Sequence, residues 1–308
     1  MSPLPPCPLC HGEAAGQKLL FRASQGRGRR SQRTDRFACT SGLVGTHAEI
    51  YWCGSCRVGY SPPPPRDWLQ AEYETVVDPS YLEEEGHRLR NSEWVLSQVE
   101  RYRAPGALYE VGASVGILLR AAQTRGWTVD GVEPSAWAVA TARERYSLRI
   151  TQGTIESGPG PAGPVDCVVM SDVLEHLVDP QAAVIQAADW LSTGGILAIV
   201  TVNMAALPAR LLRGRWPGFM DMHLTYFTPV ALRAMLRAGG LDTLSLRAAP
   251  RRLTAGYMGR RLKGTGGAVE LAARALTLPI IQDANFTIRS RDLVLAIGRK
   301  ATASPSTA

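Results

Sequence analysis

The chain has almost no lysine. Lys18, Lys263 and Lys300 are the only three in 308 residues, although the formal net charge is +7. The positive charge is therefore arginine. With abundant alanine, glycine and proline, this fits a compositional bias better than a nucleic-acid footprint. Two arginine-rich runs, 27–36 and 251–263, are candidate anion patches, and a solvated surface explains them equally well. No apolar stretch approaches the ~18–20 residues of a membrane span, so integral membrane association is not expected. The opening "MSPLPPCPLC" lacks the charged-then-apolar order of a signal peptide. The expected location is the cytoplasm. Thiols stay reduced there, so the six cysteines are not expected to form disulfides. Internal repeats are absent. What is present is an ordinary globular composition, 45% hydrophobic and 20% charged, long enough for one large domain or two modest ones.

Four cysteines form two pairs, Cys7 with Cys10 and Cys53 with Cys56, each separated by two residues in a turn-like setting. Such a turn aims two thiolates at one point, and two turns complete a tetrahedral zinc site. The 42 residues between the pairs exceed the usual spacing, so the ribbon carries an Arg-rich, Gly-rich insert. A closed site of four thiolates is structural. Cys39 and Cys167 are left over, and Cys167 falls in an apolar run expected to be core.

"SPPPPR" at 61–66 is a stiff linker and the clearest boundary. Residues 67–103 read as helical segments interrupted at Asp78-Pro79. Beyond Pro105-Gly106, short apolar strands alternate with helix-length stretches. Strands are expected at 107–112, 128–133, 148–152, 165–171 and 195–202, and helices at 115–125, 135–146, 180–192 and 229–238. Ser135, Asp179-Pro180 and Thr228-Pro229 read as N-terminal caps, and Gly239-Gly240 as a helix end. This alternation implies a parallel sheet covered by helices on both faces. Two late strands, 241–248 and 292–299, flank an irregular basic segment. The expected division is a zinc-ribbon-like domain at 1–62, a linker and helical lid at 63–104, an α/β domain at 105–300 and a disordered tail at 301–308.

In an open α/β sheet, ligands bind at the carboxyl ends of the strands. The first strand ends in "YEVGASVG", where Gly112 and Gly116 let the backbone approach a ligand. The second ends at Glu133, 21 residues beyond Gly112, where a carboxylate can accept from both ribose hydroxyls. A dinucleotide requires a third glycine around the helix N-terminus, and Ser114 breaks that fingerprint. Glu110, two residues before the loop, suits a cationic ligand better than a diphosphate.

"YEVGASVG", "GVEPS", "DCVVMSDVLEHLVDP" and "LSTGGILAIVTVN" occur in this order. The series resembles the motifs of class I S-adenosylmethionine (SAM)-dependent methyltransferases over about 105–300. The resemblance implies an α/β, Rossmann-like, mostly parallel seven-stranded sheet whose last two strands form an antiparallel hairpin, beside the small zinc ribbon. It implies SAM as cofactor, with the loop Glu110, Gly112, Ser114 and Gly116 at the amino-acid end and Glu133 on the ribose. Thr154 and Ile155 would lie beside the adenine, and Met170 and Ser171 on the sulfonium side. Ser114 departs from the family's commoner glycine, which implies weaker binding.

"SDVLEHL" (171–177) follows directly. On a helical turn Asp172, Glu175 and His176 share a face, and "FMDMHLTYFTP" brings His223 over the same edge. His11, His47 and His87 are expected elsewhere. Ubiquinone-pathway O-methyltransferases and small-RNA 2′-O-methyltransferases resemble the chain at the acid-x-x-Glu-His motif. The resemblance makes Asp172, Glu175, His176 and His223 candidate ligands of a divalent ion such as Mg²⁺ or Mn²⁺. Catalysis by His176, His223 and Glu175 without a metal, or a structural role, remains open. The acceptor is expected to be a hydroxyl of a small molecule, sugar or lipid-linked glycan. Alternatives are RNA gripped by the ribbon, or a non-catalytic scaffold. Oligomeric state is not indicated.

Overall fold

The computed structural model describes residues 4–11, 16–24, 37, 40, 46–262 and 267–301, apart from the side chains of 261, 262 and 267–269. The arginine run at 27–36, Cys39 and the tail from 302 lie outside the described residues.

A seven-stranded sheet organises the chain. Its strands in chain order are β4 (Ala107–Val111), β5 (Thr128–Glu133), β6 (Thr151–Gln152), β7 (Val165–Ser171), β8 (Leu191–Val202), β10 (Leu241–Ala248) and β13 (Leu293–Lys300). The spatial order is β10-β13-β8-β7-β4-β5-β6. β13 runs antiparallel to both neighbours, and the other pairings are parallel. This is the expected sheet with an antiparallel last hairpin. Successive side chains alternate between two buried faces: Tyr109, Val168 and Met170 on one, Leu108, Cys167 and Val169 on the other. Burial on both faces is why these strands read as unbroken apolar runs.

Helices α4 (Ile117–Thr124), α5 (Ala136–Tyr146), α6 (Pro180–Trp190) and α8 (Pro229–Ala238) cover the sheet. The caps are as read. Ser135 Oγ accepts from Ala138 N–H, Asp179 Oδ1 from Ala182 N–H and Thr228 Oγ1 from Ala231 N–H. Two boundaries differ from expectation. β6 is reduced to two residues, because Leu148 and Ile150 turn into the core instead of pairing. β8 begins at Leu191, inside the stretch expected to end the helix at 192, and its pairing with β7 shifts register between Val165 and Cys167.

A second sheet has order β1-β2-β3-β9: β1 (Gln17–Phe21), β2 (Ile50–Cys53), β3 (Val58–Tyr60) and β9 (Thr225–Tyr226). Cys53 closes β2 and Cys56 lies in the β2–β3 turn, while Cys7 and Cys10 precede β1. Its fourth strand comes from the segment after β8, by way of the short helix α7 (Leu207–Leu212).

The lid region folds as α1 (Arg66–Glu74), α2 (Ser80–Glu83) and α3 (Glu85–Val99). The basic segment between β10 and β13, expected to be irregular, is ordered. It forms a hairpin of β11 (Arg251–Thr254) with β12 (Asn285–Ile288), enclosing α9 (Ala255–Leu262) and α10 (Gly267–Leu276). Asn91 on α3 holds β11 as a neighbouring strand would. Its Nδ2 donates to Arg252 O at 3.1 Å and its Oδ1 accepts from Arg252 N–H at 3.0 Å. Buried Glu84 accepts from Thr254 Oγ1 at 2.8 Å. Among the described residues, no helix is long and apolar enough to cross a membrane.

Candidate active site

The carboxyl ends of β4, β5, β7 and β8 open into a cavity of about 670 Å³, roofed by α1, α3 and β11. At one end lies the turn after β4. Gly112, Ser114 and Gly116 have φ of +68°, +49° and +81°. The left-handed geometry favours glycine, and Ser114 adopts it with a side chain present. The Ser114 N–H donates to Glu133 Oε2 at 2.8 Å, and the Ser135 N–H to Glu133 Oε1 at 2.9 Å. The turn and the carboxylate are thus locked together. Gly116 closes the turn as the cap of α4 and lies behind the cavity wall, where a Cβ would meet Leu148 Cδ1 at 2.5 Å. Its left-handed φ is what favours glycine, with the Leu148 contact adding to it.

Glu110 is 4% exposed, lines the cavity, and its Oε2 has no hydrogen-bond partner among the described residues. Burial, aided by the Glu133 charge, holds its carboxyl well above the usual range. Burial also raises Glu133, against the two backbone donors that favour its charged form. Thr154, Ile155 and Ser171 line the same cavity, whereas Met170 points into the core. The side chain of Gln186 donates to Ile155 O at 2.8 Å and fixes that stretch.

At the other end lies the turn after β7. The sequence placed Asp172, Glu175 and His176 on one helical face. The structure separates them. Asp172 has φ +55°, and the single 3₁₀ turn begins only at Leu174. The ligand atoms of Glu175, His176 and His223 lie within 4.8 Å of one another, and Asp172 is not in that group. Asp172 is itself solvent-accessible and lines the cavity, where the surrounding protein raises its carboxyl against the pull of Arg251 and Arg88.

Each member of the remaining triad is held from behind. Thr201 Oγ1 donates to Glu175 Oε2 at 2.8 Å. Nδ1–H of His176 lies 3.0 Å from Met222 O and 2.9 Å from the hydroxyl of Tyr73. Nδ1–H of His223 donates to Gly218 O at 2.8 Å. A carbonyl can only accept, so both imidazoles carry their lone pair on Nε2. The rings meet edge to face, 4.9 Å between centroids. Burial pulls His176 down to about 4, which keeps it neutral at pH 7. Burial, with Asp172 nearby, pushes Glu175 up to about 8. A neutral His176, the His223 imidazole and the Glu175 carboxyl group, each oriented by a partner behind it, suit a proton acceptor, or a divalent cation that would displace the carboxyl proton. Tyr73, Thr201 and Gly218 carried no signal in the sequence. His87, expected away from this edge, lines the cavity from α3.

The two cysteine pairs do converge. The four Sγ atoms lie within 4.8 Å of one another, with Cys10 and Cys53 3.8 Å apart, and none of the described cysteines forms a disulfide. Thiolates about 2.3 Å from a tetrahedral zinc stand roughly 3.8 Å apart, so the donor set fits that ion. The Cys56 N–H also points at Cys53 Sγ, at 3.4 Å.

A methyltransferase-domain family matches residues 82–246, more than half of the chain. Two similar proteins carry the name ubiquinone biosynthesis O-methyltransferase. The one from Thiobacillus denitrificans is 29% identical over 163 residues, 47% of this chain and 69% of the relative. The one from a Caulobacter species is 28% identical over 154 residues, 44% of this chain and 59% of the relative. Among solved structures, a chain of the complex between the Haloferax volcanii Trm112 methyltransferase activator and a methyltransferase superposes with TM-score 0.54. It is 16% identical and covers 71% of this chain and 92% of its own, a likeness of fold. The family match, the seven-stranded sheet and the glycine-turn cavity agree, and the chain belongs to the methyltransferase-domain family as a SAM-dependent methyltransferase.

Proposed function

We propose that the protein transfers the SAM methyl group to a hydroxyl oxygen of a small-molecule, sugar or lipid-linked glycan acceptor. The observation that carries this reading is the convergence of Glu175, His176 and His223 at the strand ends. The names of the two similar proteins are in keeping with an oxygen acceptor.

SAM would lie along the strand ends. Its amino group would face Glu110, with Gly112 and Ser114 allowing close approach of the backbone. Its ribose would face Glu133, its adenine Thr154 and Ile155, and its sulfonium Ser171. Gly116 supports this turn from outside. The acceptor would enter beneath the lid, against Tyr73, Trp216, Met222 and Met258, all of which line the cavity. The acceptor oxygen attacks the methyl carbon, the carbon–sulfur bond breaks with its electron pair going to sulfur, and the hydroxyl proton is lost. An alcohol is almost wholly protonated at neutral pH, so the residues at that oxygen govern the rate. The Nε2 lone pairs of His176 and His223 and the Glu175 carboxyl group would face that point and take up its proton. A divalent ion such as Mg²⁺ or Mn²⁺ on these three groups would lower the hydroxyl pKa. Cys7, Cys10, Cys53 and Cys56 would hold a structural zinc in the ribbon of residues 1–62, with 63–104 as lid and 105–300 as the transferase.

The test is transfer from methyl-labelled SAM to a panel of phenols, catechols and sugars, with mass spectrometry to locate the methyl group. An ether product is expected. His176→Ala and His223→Ala should each reduce turnover at least ~10²-fold and leave binding of the product S-adenosylhomocysteine (SAH) within about threefold. Methylation at nitrogen or carbon, or unchanged turnover in both variants, refutes the proposal.

A further inference from the structure

We infer that the four-cysteine knot positions the acceptor-side triad, acting through a continuous run of backbone from Cys56 to His223. The inference rests on the reading of His223 and Glu175 as acceptor-facing groups, but its test does not require an acceptor.

The connection is short. Cys53 closes β2, Cys56 closes the turn, and β3 starts two residues later. β3 pairs antiparallel with β9, with Gly59 opposite Tyr226 and Tyr60 opposite Thr225. The next residue continues the ladder, with the Ser61 N–H donating to Leu224 O at 2.9 Å. Leu224 immediately follows His223, and its own N–H donates to Glu175 O at 2.7 Å. One residue is therefore held on one side by the ribbon and on the other by the motif turn. The far end is tied as well, since Thr228 Oγ1 donates to Arg57 O at 2.8 Å. Residues 224–228 are thus anchored at both ends to the five residues after Cys56. On the amino-terminal side, Tyr60 OH donates to Pro5 O at 2.8 Å, which joins β3 to the segment of Cys7 and Cys10.

A two-residue strand has no stability of its own and takes its position from its partner. β3 is only three residues long, and Arg57 before it has φ +58°. Cys53 and Cys56 of the knot stand in that turn, which the Arg57 N–H also closes by donating to Cys53 O at 2.8 Å. A metal on the four thiolates would clamp the turn, the turn would clamp β3, and β3 would set where His223 and the Glu175 backbone stand. Catalytic constellations tolerate displacements of only about half an ångström. The cofactor end is held differently: Glu110 and Glu133 sit on β4 and β5, which meet the ribbon through the shared apolar core of Val58, Tyr60, Val111 and Val132.

The experiment uses the full chain with zinc bound, ¹⁵N-labelled at histidine, and reads the imidazole signals of His176 and His223 by NMR alongside SAH affinity. Two variants perturb the connection independently. Cys56→Ser removes a ligand. Gly59→Val leaves the ligands in place but puts a side chain where a Cβ already meets Met204 Sδ at 2.9 Å and Tyr226 Cβ at 3.4 Å. Both variants should shift or broaden the two imidazole signals, with SAH affinity within about threefold of the parent and, for Gly59→Val, zinc content unchanged. Unmoved imidazole signals in either folded variant overturn the inference. A parallel loss of SAH affinity, more than ~10-fold, also overturns it, since the ribbon would then support the whole fold. If Cys56→Ser does not fold, Gly59→Val decides. Failure of Co²⁺ to give a thiolate charge-transfer band at the knot removes the premise and overturns it too. Full turnover in His223→Ala would instead refute the proposed acceptor chemistry, and the imidazole signals would still report on the linkage.

Discussion

The hydroxyl of Tyr73, on the first lid helix, lies 2.9 Å from Nδ1 of His176 on the turn after β7. The rings meet nearly at right angles, 6.0 Å between centroids. This contact joins the roof of the cavity to its chemistry. It also helps to hold Nδ1 as the protonated nitrogen, which leaves Nε2 toward the cavity. A single hydrogen bond of this kind contributes about 0.5–1.5 kcal/mol. Tyr73→Phe should therefore lower kcat roughly 2–10-fold, with little change in SAH affinity. Met222 O remains as the second partner of Nδ1, so activity should not vanish. Steady-state kinetics beside calorimetry checks both parts, and an unchanged kcat means the lid does not orient His176.

Glu133 offers a sharper test of the cofactor placement. Its two oxygens accept from the backbone of Ser114 and Ser135, so the carboxylate also shapes the turn that would hold the amino-acid end of SAM. Glu133→Gln keeps the volume but leaves one acceptor oxygen for two donors. A hydrogen bond to a charged group contributes about 1.5–3 kcal/mol. SAH affinity should therefore fall roughly 10–100-fold by calorimetry. An affinity within threefold of the parent would mean that the ribose lies elsewhere.

The central sheet was legible because β4 and β7 are buried on both faces and the helices carry caps whose side chains make the bonds their residue types suggest. The shortest elements were not. β9 has two residues and no period to detect, so nothing in "HLTYF" announced that it would complete the ribbon's sheet. The β11–β12 hairpin is held by Asn91 and Glu84, distant partners that a local pattern cannot show. At the site, Glu175 and His176 were found through a short motif. Asp172 was grouped with them by assuming helical spacing, which fails because its left-handed backbone precedes the turn. His223 was read from its place in "FMDMHLTYFTP" after the fifth strand, and Tyr73 had no signal, since only the fold of α1 over the cavity brings residue 73 to residue 176.

Gly116 separates a packing role from a binding role. It has φ +81°, and a Cβ there would meet Leu148 Cδ1 at 2.5 Å and Ala142 Cβ at 3.5 Å. Gly116→Ala combines a left-handed penalty of about 1–2 kcal/mol with overpacking of about 1–3 kcal/mol. The melting temperature should drop by roughly 2–4 °C for each kcal/mol lost. SAH affinity, measured well below the new melting temperature, should stay within about threefold, because Gly116 does not line the cavity. Normal stability with weak binding would restore the ligand-approach role that the sequence suggested.

Cofactor binding should be linked to protons through Glu110 and Glu133. Burial raises both from an ordinary value of 4.5, and Glu110 has Glu133 as a second cause. In the ligand-free folded chain they therefore hold protons at a pH where the unfolded chain has released them. Their contribution to stability is fully present below 4.5 and is lost as pH rises through the folded values. A cationic ligand reverses the preference, since the amino group of SAH and the added sulfonium of SAM favour ionised carboxylates. SAM binding should then release protons and tighten as pH rises from 4.5 toward the raised values of the folded carboxyls. The gain should approach tenfold per pH unit for each proton released. Calorimetry in two buffers of different ionisation enthalpy reads the proton count directly. Thermal melts supply the second reading: the stabilisation by saturating SAH should widen over the same interval. Pairing with Glu110→Gln assigns the effect, since that variant should lose at least half of the pH dependence. A parent affinity independent of pH across this range would place the charged end of the cofactor away from these two carboxylates.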